Sequence, residues 1–290
     1  MTNIIITPNR LTSSGKLDSF AAADGSLRPI LLGRMDVSMI ADGVDLKASA
    51  AEVGGWIFDH ENATTKKFTD AGTPYVKCTY NTCIGGVKSW PKVQFFFNST
   101  QLPSEVYVQF WARRDGSIAS NSKFLKIYGK STGTDYSNAT FSNLYTASDL
   151  TTVLYSDGTG LQNDNNQSLS YDSGYEANSG RYPSVQPPLT RSFVHIGKFT
   201  AAEWGNGTVW HKFQIRIKQN TGTSSADEIN DGVFEVWIDN VLRCAGYNIM
   251  NKNPINQKYQ YIEFGSLMQD NLGFDYDFKN ITISKNGWID

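Results

Sequence analysis

The groups in this 290-residue chain whose type and spacing could do chemistry are few: a carboxylate pair, three histidines and an oxygen-rich loop. Glu235 and Asp239 stand four apart in FEVWIDN (234–240) and would share one face of a strand. At strand rise their Cα atoms lie roughly 13 Å apart, too far for the carboxylates about 5 Å apart that a retaining glycosidase uses. Carboxylates closing a hairpin read first as turn residues. His211, in WHKFQIRIKQ (210–219), shares its face with Phe213 and Ile215 and reads as a core histidine. His60 follows Asp59 in a turn, and His195, in SFVHIG, suits a proton-transfer role and a satisfied core position equally. The segment SDGTGLQNDNN (156–166) is rich in oxygen donors. Its carboxylates Asp157 and Asp164 could seat Ca²⁺. It does not follow the EF-hand register, and Asn/Asp/Gly loops are common without ions. The chain carries no P-loop, no Rossmann glycine pattern and no nucleophile elbow, which argues against nucleotide and serine-hydrolase chemistry.

The elements that must position these groups are strands. GWIFDH, YVKCTY, VQFFFN, EVYVQFWARRD, KFLKIYG, SFVHIGKF, WHKFQIRIKQ, VFEVWIDN, YIEFGSL and DFKNITIS are short, rich in Val, Ile and aromatics, and bounded by Gly, Asn, Asp, Ser or Pro. Strict alternation splits them into faces. Val106, Val108 and Phe110 oppose Tyr107, Gln109, Trp111 and Arg113. Phe213, Ile215 and Ile217 oppose Gln214, Arg216 and Lys218. Phe234, Val236 and Ile238 oppose Glu235, Trp237 and Asp239. The expectation is an all-β antiparallel sandwich or jelly roll. Tyr107, Gln109, Trp111, Arg113, Gln214, Arg216 and Trp237 then make an outward face suited to carbohydrate. Aromatic faces stack on sugar C–H surfaces, and Arg and Gln bond hydroxyls. The alternative is that loops, the chain's own insertion or a neighbouring subunit cover this face, because bare tryptophans would leave an apolar patch in water.

Composition narrows the classes. Aromatics reach 13% and charged residues only 19%, with a net charge of −2. No Lys/Arg block appears, so nucleic acid is not an expected partner. No apolar run approaches the length of a membrane span. The odd cysteine count (Cys78, Cys83, Cys244) argues for buried free thiols rather than a disulfide framework, and alternation would turn Cys78 and Cys83 to opposite faces. MTNIIITPNRL lacks a basic region and a long apolar run, so folding in a cytoplasm is expected.

Residues 1–50 contain no Trp or Tyr and read as an N-terminal arm, with one or two strands or a short helix, that anchors the chain to other proteins; an ordinary first strand pair of the same domain is the equal alternative. Residues 51–290 read as the sandwich, with a long insertion at about 131–192 that carries six tyrosines. Within it VLYS (153–156) and SLSY (168–171) could pair as a small hairpin.

The pair WHKFQIRI and DGVFEVWIDN resembles adjacent strands of the concanavalin A-like lectin/glucanase superfamily. DYDFKNITIS (275–284) is similar to that family's closing strand, and KFLKIYG suits an interior strand of its laminin-G-like members. The resemblance implies a jelly roll that hosts lectins, glycosidases, lyases or purely structural modules. Family glycosidases carry an E-x-D-x-x-E strand upstream of the Trp/His strand, whereas TRSFVHIGKFTAAEWGNG offers Glu203 alone. Family lyases use Tyr or His to abstract a proton beside a uronate and Arg, Asn or Gln to neutralise its carboxylate. His195, Arg113, Arg216 and the insertion tyrosines are the ingredients here, but the alginate-lyase signatures are absent.

Together these features favour a non-catalytic, lectin-like module of a large assembly, a phage virion in particular, as a decoration protein or tail-associated adhesin. Its expected partners are other virion proteins, further copies of itself and surface polysaccharide. A polysaccharide lyase or glycanase is the alternative.

Overall fold

A computed structural model describes residues 28–49, 52–53, 55–98, 103–115, 122–130, 141–146, 152–157, 192–195, 207–218, 221, 232–249, 258–265 and 273–289. They form β1 (Ile30–Arg34), α1 (Leu46–Ser49), β2 (Glu52–Val53), β3 (Trp56–Glu61), β4 (Ala63–Asp70), β5 (Thr73–Tyr80), β6 (Trp90–Phe96), β7 (Glu105–Asp115) and β8 (Ser122–Lys130). There follow β9 (Phe141–Thr146), β10 (Thr152–Asp157), β11 (Ser192–His195), β12 (His211–Lys218), β13 (Gly232–Ile238), β14 (Val241–Ile249), β15 (Lys258–Phe264) and β16 (Phe274–Lys285). For β9, β10 and β11 the description is one of backbone pairing. Among the described residues no helix is long and apolar enough to cross a membrane.

Two antiparallel sheets result. One has nine strands in the order β11-β14-β13-β12-β7-β16-β5-β4, with β1 also on β16. The other has seven, ordered β10-β9-β8-β15-β6-β3-β2. Alternation explains why they stack. Val106, Val108, Phe110 and Ala112 of β7 and Phe213, Ile215 and Ile217 of β12 are fully buried, each separated by a half-buried residue. From the opposite sheet Trp56, Phe58, Val93, Phe95, Ile127 and Phe264 complete the same cluster. Phe110 stacks on Phe213 at 5.2 Å within its own sheet and meets Phe264 edge-on at 5.1 Å across the interior. Burying each such side chain contributes about 1.5–3 kcal/mol. The all-β sandwich expected from alternation is the observed architecture.

A bulge in β16 makes room for the N-terminal strand. Asn280 takes the left-handed conformation (φ 51°), and the register with β7 slips between Lys279 and Thr282. Before the bulge β16 pairs with β5, and after it with β1. β1 crosses over Phe95 of the facing sheet, and any Cβ on Gly33 would run into that ring. Met35, Val37 and Leu46 belong to the core cluster. The expected arm boundary at residue 50 therefore falls inside packed structure. Residues 30–49 complete the sandwich, and residues 1–27 lie outside the described residues.

VLYS does form a strand in the insertion, but it pairs with Phe141–Thr146, Leu154 opposite Leu144, and the hairpin joins the edge of the seven-stranded sheet. SLSY lies outside the described residues. Cys78 and Cys83 are both buried free thiols of the same core cluster. The expected opposite facing assumed one continuous strand, whereas β5 ends at Tyr80 and the chain turns before Cys83.

Candidate functional site

The residues expected to meet sugar share the outer face of the nine-stranded sheet. Gln109 stands opposite Gln214, Tyr107 opposite Arg216, Trp111 opposite Lys212, and Gln214 opposite Trp237. All are half-buried. At one end of the face Arg216 donates from Nε to Glu105 Oε1 (2.9 Å), with Nη1 3.6 Å from Glu235 Oε1. Its guanidinium lies 5.6 Å from the Tyr107 ring centroid, and Trp288 meets that ring edge-on. The Tyr107 hydroxyl donates to Glu105 at 3.0 Å. Burial, seconded by Glu105, pushes this phenol up to about 12, so it keeps its proton at neutral pH and makes a poor general base.

At the other end Arg113 donates from Nε to Asp277 (2.8 Å) and from Nη1 to Asp70 (3.2 Å). Its guanidinium lies 4.4 Å from the Trp210 ring centroid and 5.0 Å from that of Tyr75. The Trp210 indole N–H donates to Asp70 at 2.6 Å, and Lys279 sits 3.9 Å from the Trp210 ring centroid. Burial pushes the Asp277 carboxyl up, against the pull of Arg113 and Lys77. Between these clusters Gln214 Nε2 donates to Gln109 Oε1 (2.9 Å), flanked in the register by Trp111 and Trp237. The two arginines of this face are committed to its carboxylates. A ligand reaching for Arg113 or Arg216 must displace an intramolecular carboxylate.

The remaining candidates separate. Glu235 faces Arg216, whereas Asp239 turns the chain after β13 with φ 52°. Its Oδ2 lies 2.6 Å from His211 Nδ1, and its Oδ1 accepts from the Lys212 N–H (2.9 Å). The two carboxylates thus hold separate structural partners, in line with their spacing. His211 is buried, and His60 Nε2 lies 3.0 Å from Asp45 Oδ2. The His195 backbone pairs with Cys244, but its side chain is outside the description. So is that of Asp157, which ends β10, and Asp164 lies outside the described residues altogether. Among the described residues no three His, Cys, Asp or Glu groups come together.

The outer face of the seven-stranded sheet went unnoticed in the sequence. Along β6, Trp90, Lys92, Gln94 and Phe96 point outward between buried Pro91, Val93 and Phe95. Phe96, 36% exposed, stacks on Tyr261 of β15 with centroids 4.8 Å apart and planes at 22°. The register carries this row on to Tyr128 and Phe141. The adjacent row runs from Ile57 through Gln94, Glu263 and Lys126 to Asn143. Glu263 is fully buried and accepts from Trp90 Nε1 (3.1 Å) and Gln94 Nε2 (2.5 Å). Lys92 lies 4.5 Å from the Trp90 centroid and 3.0 Å from Asp59, which also holds Lys47 at 2.7 Å. Burial works against the Asp59 charge, but hydrogen bonds from Lys47, Lys92 and the His60 N–H hold its carboxyl down to about 2. The alternation WPKVQFF was the signal available, but nothing local tells that Gln94 and Glu263, 169 apart, meet.

No model of a known protein family matches the sequence, and no curated protein matches it. Solved structures do match. An alginate lyase from a Chlorella virus superposes with a TM-score of 0.54 at 12% identity, covering 88% of this chain and 100% of its own. The alginate lyase Aly36B superposes with a TM-score of 0.51 at 11% identity, covering 86% of this chain and 95% of its own. A mutant of Aly36B in complex with alginate trisaccharide gives the same score. The fold is the concanavalin A-like jelly roll. Identities this low establish the fold and nothing finer. Within this concanavalin A-like jelly roll the two outer faces differ in kind. One holds its two arginines on its own carboxylates. The other lays a stacked aromatic pair beside a row of hydrogen-bonding side chains, which is the chemistry of holding a sugar ring.

Proposed function

We propose that this chain is a carbohydrate-binding module of a large assembly, a virion in particular, and that it holds polysaccharide on the outer face of its seven-stranded sheet. The observation that carries this reading is the partly exposed Phe96–Tyr261 stack beside Gln94. The two rings together place apolar surface at the sheet face against which sugar C–H groups can pack, and a neighbouring amide supplies orientation. The fold it shares with alginate lyases, one of them solved with an alginate trisaccharide, supports a saccharide ligand. Trp111, Gln109, Gln214 and Trp237 of the opposite outer face form a second surface for sugar or for another subunit. Residues 1–27, Trp- and Tyr-free and ahead of the packed segment, support a role in joining other virion proteins and further copies of the chain.

Affinity electrophoresis of the full chain through gels containing alginate, polygalacturonate or a neutral β-glucan tests this. Retardation in at least one gel, lost on joint Phe96→Ala and Tyr261→Ala substitution and kept on joint Trp111→Ala and Trp237→Ala, is the expected result. Absence of retardation in every gel overturns the binding reading. Ultraviolet-absorbing unsaturated ends released from a uronate polymer would make the protein a lyase instead.

A further inference from the structure

Glu263 is fully buried although it stands in an outward row, between Gln94 of β6 and Lys126 of β8 in the register. Its partners among the described residues are neutral donors, Trp90 Nε1 and Gln94 Nε2. A carboxylate can only accept, so the end of the Gln94 amide that faces it is the NH₂ end. The amide carbonyl is thereby turned away from Glu263, on a half-buried side chain one row from the Phe96–Tyr261 stack.

The polarity of that amide decides what can sit on the stack. A carbonyl oxygen presented to a ligand on the stack would match a sugar hydroxyl, which donates, and would mismatch a uronate carboxylate, which cannot. The charge of Glu263 adds to the mismatch, because a buried charge is poorly screened. Of the cations whose side chains are described, Lys47 and Lys92 both spend their charge on Asp59.

We infer that Glu263 is a specificity-determining residue, orienting Gln94 so that this face takes an uncharged, hydroxyl-rich polysaccharide and discriminates against polyuronates. The inference rests on the platform reading above. It also separates this chain from the alginate lyases whose fold it shares.

Glu263→Gln is the direct test. The new amide can accept from Trp90 through its oxygen and present its NH₂ to Gln94, which then turns over and points its own NH₂ outward. Affinity electrophoresis compares a neutral β-glucan with alginate and polygalacturonate for the wild-type chain, Glu263→Gln, Gln94→Leu and Phe96→Ala, with thermal midpoints recorded for each. The wild type should prefer the neutral polymer by roughly tenfold, the scale of one mismatched hydrogen bond. Both Glu263→Gln and Gln94→Leu should largely erase that preference, and Gln94→Leu reports even where Glu263→Gln is too unstable to measure. Equal wild-type binding of uronate and neutral polymers, or a preference unchanged by both variants, overturns the specificity assignment alone, provided Phe96→Ala still weakens binding. Failure of every polymer to bind, or binding indifferent to Phe96→Ala, overturns the platform and the assignment with it.

Discussion

The Nε of Arg113 donates to Asp277 across 2.8 Å and joins neighbouring strands whose residues are 164 apart in sequence. Asp277 is 3% exposed, so this pair holds a charge that water cannot reach. Its Oδ2 takes the Arg113 bond, while its buried Oδ1 has no hydrogen-bond partner among the described residues and lies 4.0 Å from Lys77 Nζ.

Removing Arg113 should therefore cost far more than a surface ion pair. Arg113→Ala is expected to destabilise by about 3–5 kcal/mol, the penalty of a stranded buried charge. Asp277→Asn should cost less, since it removes the charge with its partner left half-exposed. Urea unfolding of the two variants checks the order.

The aspartates of the two outer faces should respond to pH with opposite sign. Asp59 has a folded value of about 2 against an ordinary 3.8, so its stabilisation is present above about pH 4 and lost as pH falls toward 2. With its side chain 38% exposed, that contribution is held to about 1 kcal/mol by solvent screening. Asp277 is raised by burial, so its ionisation opposes folding, and that cost fades as pH falls through its folded value. Unfolding of Asp59→Asn and Asp277→Asn from pH 7 to pH 3 should show the first variant converging on wild type in acid. The second should lose relative stability there.

Gly33→Ala should destabilise by about 1–3 kcal/mol, because the new methyl group enters the Phe95 ring. Phe95→Leu in the same chain should recover part of the loss. Additive costs in the double variant would deny the contact.

Truncation has a defined limit. A chain lacking residues 1–27 should remain soluble and fold, and should fail to join particles where the first residues are the anchor. A chain lacking residues 1–50 should not fold, since it loses β1 and the buried Met35, Val37 and Leu46, each worth about 1.5–3 kcal/mol. Sedimentation with particles and circular dichroism separate the two effects.

Phe96→Ala should weaken glycan binding roughly tenfold with little change in thermal midpoint, because the ring is partly exposed and stacks on a neighbour rather than filling the core. Titration by intrinsic fluorescence gives the affinity, and an unchanged affinity removes the stack from the site.

Much of the scaffold was legible in advance, because the period of two along EVYVQFWARRD and WHKFQIRIKQ is a local property of each strand. It assigned Val108, Phe110 and Ile215 to the interior and Gln109, Gln214 and Trp237 to the outside, as observed for each. Whether residues 30–49 belong to an arm or to the sandwich was left open by their composition. β1 finds its partner some 250 residues away, in a strand whose bulge at Asn280 has no local signature beyond a single asparagine.

What the sequence determined by itself is which side chains face in and which face out, since alternation follows from backbone geometry within a strand. Only the tertiary structure decided what the outward groups meet. It paired Arg113 and Arg216 with carboxylates, and it buried Glu263 against Trp90 and Gln94. Those meetings depend on strand order and register between distant segments. Burial of the whole inner surface sets that order and register, and no window along the chain contains them.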